Sequence, residues 1–219
     1  MDKFERGRKR MVQMQIVQRG LKEPRLLKAF ESVPRHQFVP KEHRYAAYND
    51  SPLPIGHSQT ISQPYIVALM THLLELQGDE RVLEVGTGSG YQAAILGKLA
   101  REVHTVEYIP ELAIEAEKLL SELGYTNVCV HVGDGSLGWP QAAPYDGILV
   151  AAAAPQAPKA LLDQLADTAR LILPVGGRGM QNLEIWEKQH GEFSTRIETA
   201  VAFVPLRGEQ GWDRKEWWA

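Results

Sequence analysis

A single cysteine, Cys129, stands among 219 residues, so no disulfide can form within the chain. That excludes a small secreted domain stapled by bridges. Neither sign of charge dominates: 24 Lys and Arg face 27 Asp and Glu, a formal net charge of −3. A dedicated nucleic-acid binder carries a basic excess, so no nucleic-acid partner is expected. Long apolar runs are missing as well. The most apolar stretch, Ile148 to Ala154, is stopped by Pro155 and is too short to span a membrane, so no membrane partner is expected. The basic residues Arg6, Arg8, Lys9 and Arg10 lack the apolar segment of a secretory leader and read as a solvated face. The histidines lack H-E-x-x-H and C-x-x-C spacings, so no metal is expected. The expected compartment is the cytoplasm and the expected state a monomer.

Hydrophobic residues make up 44% and charged residues 23%, the balance of a globular chain with a sizeable core. Met11 to Gly20 and Pro24 to Val33 carry apolar residues at helical spacing, and Pro34 to Ile61 reads as a long, irregular loop. From Ser62 onward, helical and strand patterns alternate. Strands are expected at Arg81–Val85, Glu102–Glu107, Asn127–Val132, Tyr145–Val150 and Arg170–Val175. Helices are expected from Ser62 to Leu74, Tyr91 to Leu99, Pro110 to Leu123 and Pro158 to Leu165. Two further strands, Asn182–Lys188 and Thr195–Val204, follow without an intervening helix and should pair antiparallel. The expected fold is α/β, a doubly wound, mainly parallel sheet with N-terminal helices and a C-terminal antiparallel hairpin. It is read as a single domain: an addition over 1–61, a cofactor-binding core over 62–176, and strands and tail over 177–219. Cys129, inside an expected strand, reads as a small core residue.

In open α/β sheets, ligands bind at the carboxyl ends of the strands. The first strand runs into Glu84-Val85-Gly86-Thr87-Gly88-Ser89-Gly90, the second ends in Glu107, and the third in Gly133-Asp134-Gly135. The glycines permit close backbone approach to a ligand. The spacing departs from the dinucleotide fingerprint, because Tyr91 stands where Gly or Ala is needed. Glu84 would repel a pyrophosphate and welcome a cationic ligand such as S-adenosylmethionine, with its ammonium and sulfonium. Glu107, about twenty positions after Gly86, suits a grip on ribose hydroxyls, and Asp134 suits an adenine amino group. The same glycines would also serve a turn that merely packs strand on helix. No G-x-S-x-G surrounds Ser89, and Gly97-Lys98 is not a P-loop.

Several segments resemble the protein-L-isoaspartate O-methyltransferases over about Pro34 to Trp212. These are Pro34-Arg35-His36-Gln37-Phe38-Val39-Pro40, Leu53-Pro54-Ile55-Gly56, Gln59-Thr60-Ile61-Ser62-Gln63-Pro64, Glu84 to Tyr91, Gly133-Asp134-Gly135, Leu171 to Gly176, and Phe203-Val204-Pro205-Leu206. The resemblance implies a Rossmann-like S-adenosylmethionine-dependent methyltransferase that releases S-adenosylhomocysteine. Its substrates would be isoaspartyl-containing proteins and peptides, esterified at the α-carboxylate so that repair proceeds through a succinimide. Ser62 matches the family's active-site serine. Glu84, Gly86, Thr87, Gly88, Gly90, Glu107, Asp134 and Gly135 match its cofactor-contacting segments. Thr60, Ile61, Ser62 and, by a looser match, Gln181 fall on the substrate side. His57-Ser58 departs from the Gln-Gly expected of bacterial members. Ser62 either positions the substrate carboxylate while capping the helix that follows, or caps that helix only. The rival readings are a small-molecule methyltransferase on the same fold, a nicotinamide-dependent oxidoreductase, and a non-catalytic adenosyl-binding module. Thr60 to Pro64 stands against the first, and Tyr91 with Glu84 against the second. Trp212, Trp217 and Trp218 form an aromatic tail, to be packed on the body or on a partner.

Overall fold

The computed structural model describes residues 2–213 and Trp217. The first helix, α1 (Lys3–Met11), opens on Asp2, whose carboxylate accepts the Glu5 amide at 2.8 Å. It runs on through a wider turn, Val12–Ile16, and a tight one, Val17–Arg19, before Gly20 ends it in the left-handed region at φ 98°. The helix therefore begins eight residues before the expected Met11, in a segment too polar to show apolar periodicity. Proline at the first turn starts α2 (Pro24–Ser32), where the missing amide costs nothing.

The stretch expected as a loop is more ordered than its composition suggests. Two short 3-10 turns, Arg35–Gln37 and Lys41–Ala46, lead into a hairpin of β1 (Leu53–Gly56) and β2 (Gln59–Ile61). Its tip carries His57 and Ser58, both left-handed, at φ 50° and 58°. Then follow α3 (Pro64–Leu73), β3 (Arg81–Val85), α4 (Tyr91–Leu96), β4 (Glu102–Glu107), α5 (Pro110–Glu122), β5 (Val128–Val132), β6 (Tyr145–Val150), α6 (Lys159–Asp163), β7 (Leu165–Val175), β8 (Gln181–Gln189) and β9 (Glu192–Val201). The expected helix over Pro158 to Leu165 is only five residues long. The strand after it starts at Leu165 rather than Arg170. The last strand begins at Glu192 and ends at Val201, leaving 202–204 as a connection.

The seven strands lie in the order β5-β4-β3-β6-β7-β8-β9. The five from β5 to β7 are parallel, and β7, β8 and β9 pair antiparallel, as expected for a doubly wound sheet with a terminal hairpin. Chain order reverses at β3, with β4 on one side and β6 on the other, which opens a crevice at their carboxyl ends. Alternate residues face opposite layers. Val82, Val103, Leu149 and Ile172 join the helical residues of the N-terminal addition and α3 to α5 in one core. Leu83, Val106, Ile148 and Leu171 join Leu161 and Leu165 in the other. Truncating one such side chain to Ala, Leu149 for example, should cost about 2–5 kcal/mol. Cys129 is not a core residue: β5 is the edge strand, and its thiol position is exposed. Trp212 and Trp217 meet edge to face, ring centres 5.6 Å apart, with Trp217 buried; Trp218 lies outside the described residues.

Candidate active site

At the carboxyl ends of β3, β4 and β6 lies a cleft, lined by Glu84 and Val85 of β3, Val106 and Glu107 of β4, and Ala151 and Ala152 beyond β6. Its floor is the turn from β3 into α4, where Gly86, Gly88 and Gly90 all take positive φ (94°, 52° and 84°). A side chain there would be strained, and a Cβ on Gly88 would press on Ile55 Cδ1 of the hairpin at 3.3 Å. The hairpin thus lies over the glycine turn. One wall comes from Thr60, Ile61 and Ser62, and another from the 203–207 segment that follows β9.

Glu84 is fully buried at the base of this cleft. Its Oε2 accepts the Thr105 hydroxyl at 2.5 Å, and Thr105 shares a 2.6 Å hydrogen bond with Thr87. Its Oε1 has no partner. Burial pushes the Glu84 carboxyl up to about 8; the Thr105 hydroxyl opposes the shift, and the nearby Glu107 charge adds to it. Glu107 is held by two backbone amides, from Gly88 at 2.8 Å and from Ile109 at 3.0 Å. That grip fixes the carboxylate at the cleft edge while leaving acceptor capacity on both oxygens. Gly135 packs so closely that a Cβ would stand 2.6 Å from Val85 Cγ1.

Of the residues singled out in the sequence, Thr60, Ile61, Ser62, Glu84, Gly86, Thr87, Gly88, Glu107 and Gly135 line the cleft together. Gly90 sits behind it as the left-handed residue that starts α4. Asp134 does not line it: Oδ1 accepts the Ser136 amide at 2.9 Å and hydroxyl at 2.6 Å, and Oδ2 accepts the Glu209 amide at 2.8 Å. Gln181 is also held away. Its buried amide bridges the Gly177 carbonyl at 2.7 Å and the Phe203 amide at 2.8 Å, bracing two connections. Ser62 does not cap α3; the residue at the cap is Gln63, and no side chain caps that end.

Thr105, Tyr91, Arg207 and the 203–206 wall also contribute to the site without having been assigned a part in it from sequence. Thr105 was findable: it lies two positions before Glu107 on one strand and so shares its face. Arg207 becomes a cleft residue only because the tail folds back.

A second groove adjoins the first and shares Thr60, Ser62, Ala151, Phe203 and Val204 with it. Its other lining residues include Pro52, Ile66 and Met180, and Met180 is strongly exposed. Ser62 therefore stands where the cleft and the groove meet.

The family model for protein-L-isoaspartate(D-aspartate) O-methyltransferase matches residues 6–211. The chain belongs to this family. It is 54% identical over 210 residues to the protein-L-isoaspartate O-methyltransferase of Trichlorobacter lovleyi, covering 95% of this chain and 97% of that one. It is 55% identical over 207 residues to protein-L-isoaspartate O-methyltransferase 2 of Marinobacter nauticus, covering 94% of each. A solved protein-L-isoaspartate O-methyltransferase superposes with a TM-score of 0.84 at 27% identity, over 93% of this chain and 67% of that one. A Plasmodium falciparum structure in complex with S-adenosyl-L-homocysteine shares the fold, with a TM-score of 0.80 at 23% identity over 91% of this chain and 98% of that one. Membership selects the methyltransferase readings over the oxidoreductase, in agreement with Tyr91 and Glu84. Among the described residues, no helix is long and apolar enough to cross a membrane.

Proposed function

We propose that the protein methylates the α-carboxylate of L-isoaspartyl residues in damaged proteins and peptides, using S-adenosylmethionine, and so opens their repair through a succinimide. The observation that carries this reading is the place of Ser62, which lines both the cleft beside Glu84 and Glu107 and the groove that adjoins it. A small-molecule methyltransferase needs no such groove. A flexible peptide needs one to bring its carboxylate to the cleft.

The residues fit the cofactor. Glu84 Oε1, buried and without a protein partner, is an acceptor awaiting a donor, and the cofactor's cationic end supplies one. Glu107, pinned by Gly88 and Ile109, is the acceptor for ribose hydroxyls. The glycine turn and Gly135 bring bare backbone to the cleft, where the adenosyl group would lie. When bound, S-adenosylmethionine supplies an electrophilic methyl carbon, which the carboxylate oxygen takes as the sulfonium becomes the thioether of S-adenosylhomocysteine.

The rest falls to the chain. An isoaspartyl carboxylate is already ionised at neutral pH, so no side chain has to remove a proton. Ser62, free of a capping duty, offers a neutral hydroxyl that orients the carboxylate without cancelling its charge. Holding the two reactants in line removes an entropic cost worth up to about 7–11 kcal/mol in model reactions. The hairpin and the 203–207 wall narrow the cleft and limit water at the reacting atoms. Asp134 holds the chain at Glu209, next to the Arg207 end of that wall. We place the enzyme in the cytoplasm as a monomer, where a lone cysteine is unremarkable.

The test is transfer of labelled methyl to two peptides that differ only in having an isoaspartyl or a normal aspartyl linkage. Base-labile label on the isoaspartyl peptide alone is the expected result. Cofactor binding with no label on either peptide would point instead to a small-molecule substrate.

A further inference from the structure

Arg35 is fully buried, yet no carboxylate among the described residues meets it. Its Nε donates to the Ala47 carbonyl at 2.8 Å and its Nη2 to the Ser62 carbonyl at 2.8 Å. Its Nη1 has no partner. The guanidinium lies over the Tyr91 ring, 4.9 Å from its centre, and Tyr91 lines the cleft. Burial lowers the guanidinium to about 10, so it stays charged at neutral pH. A buried cation with no counter-ion is costly, and an apolar side chain of like volume would generally serve stability better. The charge stands directly behind Ser62, held on that residue's carbonyl.

We propose that Arg35 is the counter-charge for the substrate's α-carboxylate, acting from behind Ser62 and positioning that residue through its carbonyl. The proposal deepens the isoaspartyl reading and rests on it. A cation in direct contact would form an ion pair and quench the carboxylate as a nucleophile. One held back by the Ser62 backbone attracts the carboxylate through low-dielectric protein and leaves its oxygens free to attack. Glu84 and Glu107 then serve the cationic cofactor while Arg35 serves the anionic substrate. Arg207 is the cation among the cleft-lining residues, but it is exposed and its field is screened by water.

Equilibrium binding of two labelled peptides tests this in the presence of S-adenosylhomocysteine, which prevents turnover. One peptide carries the isoaspartyl α-carboxylate and the other the neutral α-carboxamide at the same atom. The wild type should bind the carboxylate more tightly by about ten- to fiftyfold, the effect of a unit charge at roughly 7 Å and an effective dielectric of about 20. Arg35→Met should reduce that ratio to about threefold or less while still binding S-adenosylhomocysteine. Arg35→Lys, which keeps the charge and loses the fork, should hold the ratio within about threefold of wild type. Arg35→Met weakening both peptides equally, with the ratio intact, would overturn the proposal and make Arg35 a structural brace. Should the Met variant not fold, a collapsed ratio in Arg35→Lys would overturn it in the same way. A third peptide with a normal aspartyl linkage separates the two claims: a wild type that does not distinguish it from the isoaspartyl peptide would fail the underlying reading, whereas one that does, yet binds the carboxamide as well as the carboxylate, would overturn the role of Arg35.

Discussion

The hydroxyl of Thr105 donates to Glu84 Oε2 at 2.5 Å, leaving Oε1 buried beside it with nothing to bind. A carboxyl in that position is held ready for a cationic ligand at the expense of the free protein. With its folded value raised to about 8 from an ordinary 4.5, Glu84 is mostly protonated in the ligand-free state at neutral pH. The stabilising form is the neutral one. Its contribution is complete below the unfolded value and is lost as pH rises towards 8. Ligand-free wild type should therefore lose stability between about pH 4.5 and 8, with a slope of up to about 1.4 kcal/mol per unit from this group. In Glu84→Gln that part of the slope should vanish. Urea melts of both proteins across the range make the comparison.

Ser62→Ala separates positioning from capping. Because no side chain caps α3, the variant should keep its stability within about 0.5 kcal/mol of wild type. Its kcat on an isoaspartyl peptide should fall by about ten- to a hundredfold, with cofactor affinity unchanged. A thermal melt, a calorimetric titration and steady-state kinetics give the three readouts.

Asp134→Ala should release the tail from the body. The carboxylate joins Ser136 to Glu209, so its loss should cost about 1–2 kcal/mol. It should also weaken S-adenosylhomocysteine binding several-fold, since Gly135 and Arg207 line the cleft on either side of this tie. Denaturant melts and calorimetry measure the two effects.

Ser58→Gly should stabilise the hairpin. His57 and Ser58 both occupy the left-handed region that two-residue turns prefer to fill with Asn-Gly. Glycine at the second place removes strain worth about 0.5–1 kcal/mol, and a rise in Tm reports it. Isoaspartyl turnover should be retained.

Much of this architecture was legible because buried parallel strands read as short apolar runs and the glycine turn punctuates the first of them. Glu84, Glu107 and Gly135 followed, since strand ends are where an open sheet binds ligands. What was not legible depends on contacts between distant positions. That Asp134 ties Ser136 to Glu209, far along the chain, is not written in its local sequence. Nor is the bridge that the Gln181 amide makes between Gly177 and Phe203. Arg35 stands in a recognisable motif, yet only the fold sets it behind Ser62. The hairpin at Leu53–Ile61 was hidden by a turn whose residues do not advertise their conformation. Cys129 seemed a core residue because strand order, and hence the exposed edge, cannot be read from local pattern.

The central claim is esterification of an isoaspartyl α-carboxylate, and locating the methyl group tests it most directly. An isoaspartyl peptide incubated with enzyme and S-adenosylmethionine at mildly acidic pH, where the ester survives, would be fragmented by tandem mass spectrometry. The account predicts a single methyl on the isoaspartyl residue, lost as methanol when the sample is brought to neutral pH, with succinimide and then normal aspartyl peptide appearing in its place. Methyl on a nitrogen, on another side chain or on an ordinary aspartyl peptide would contradict it.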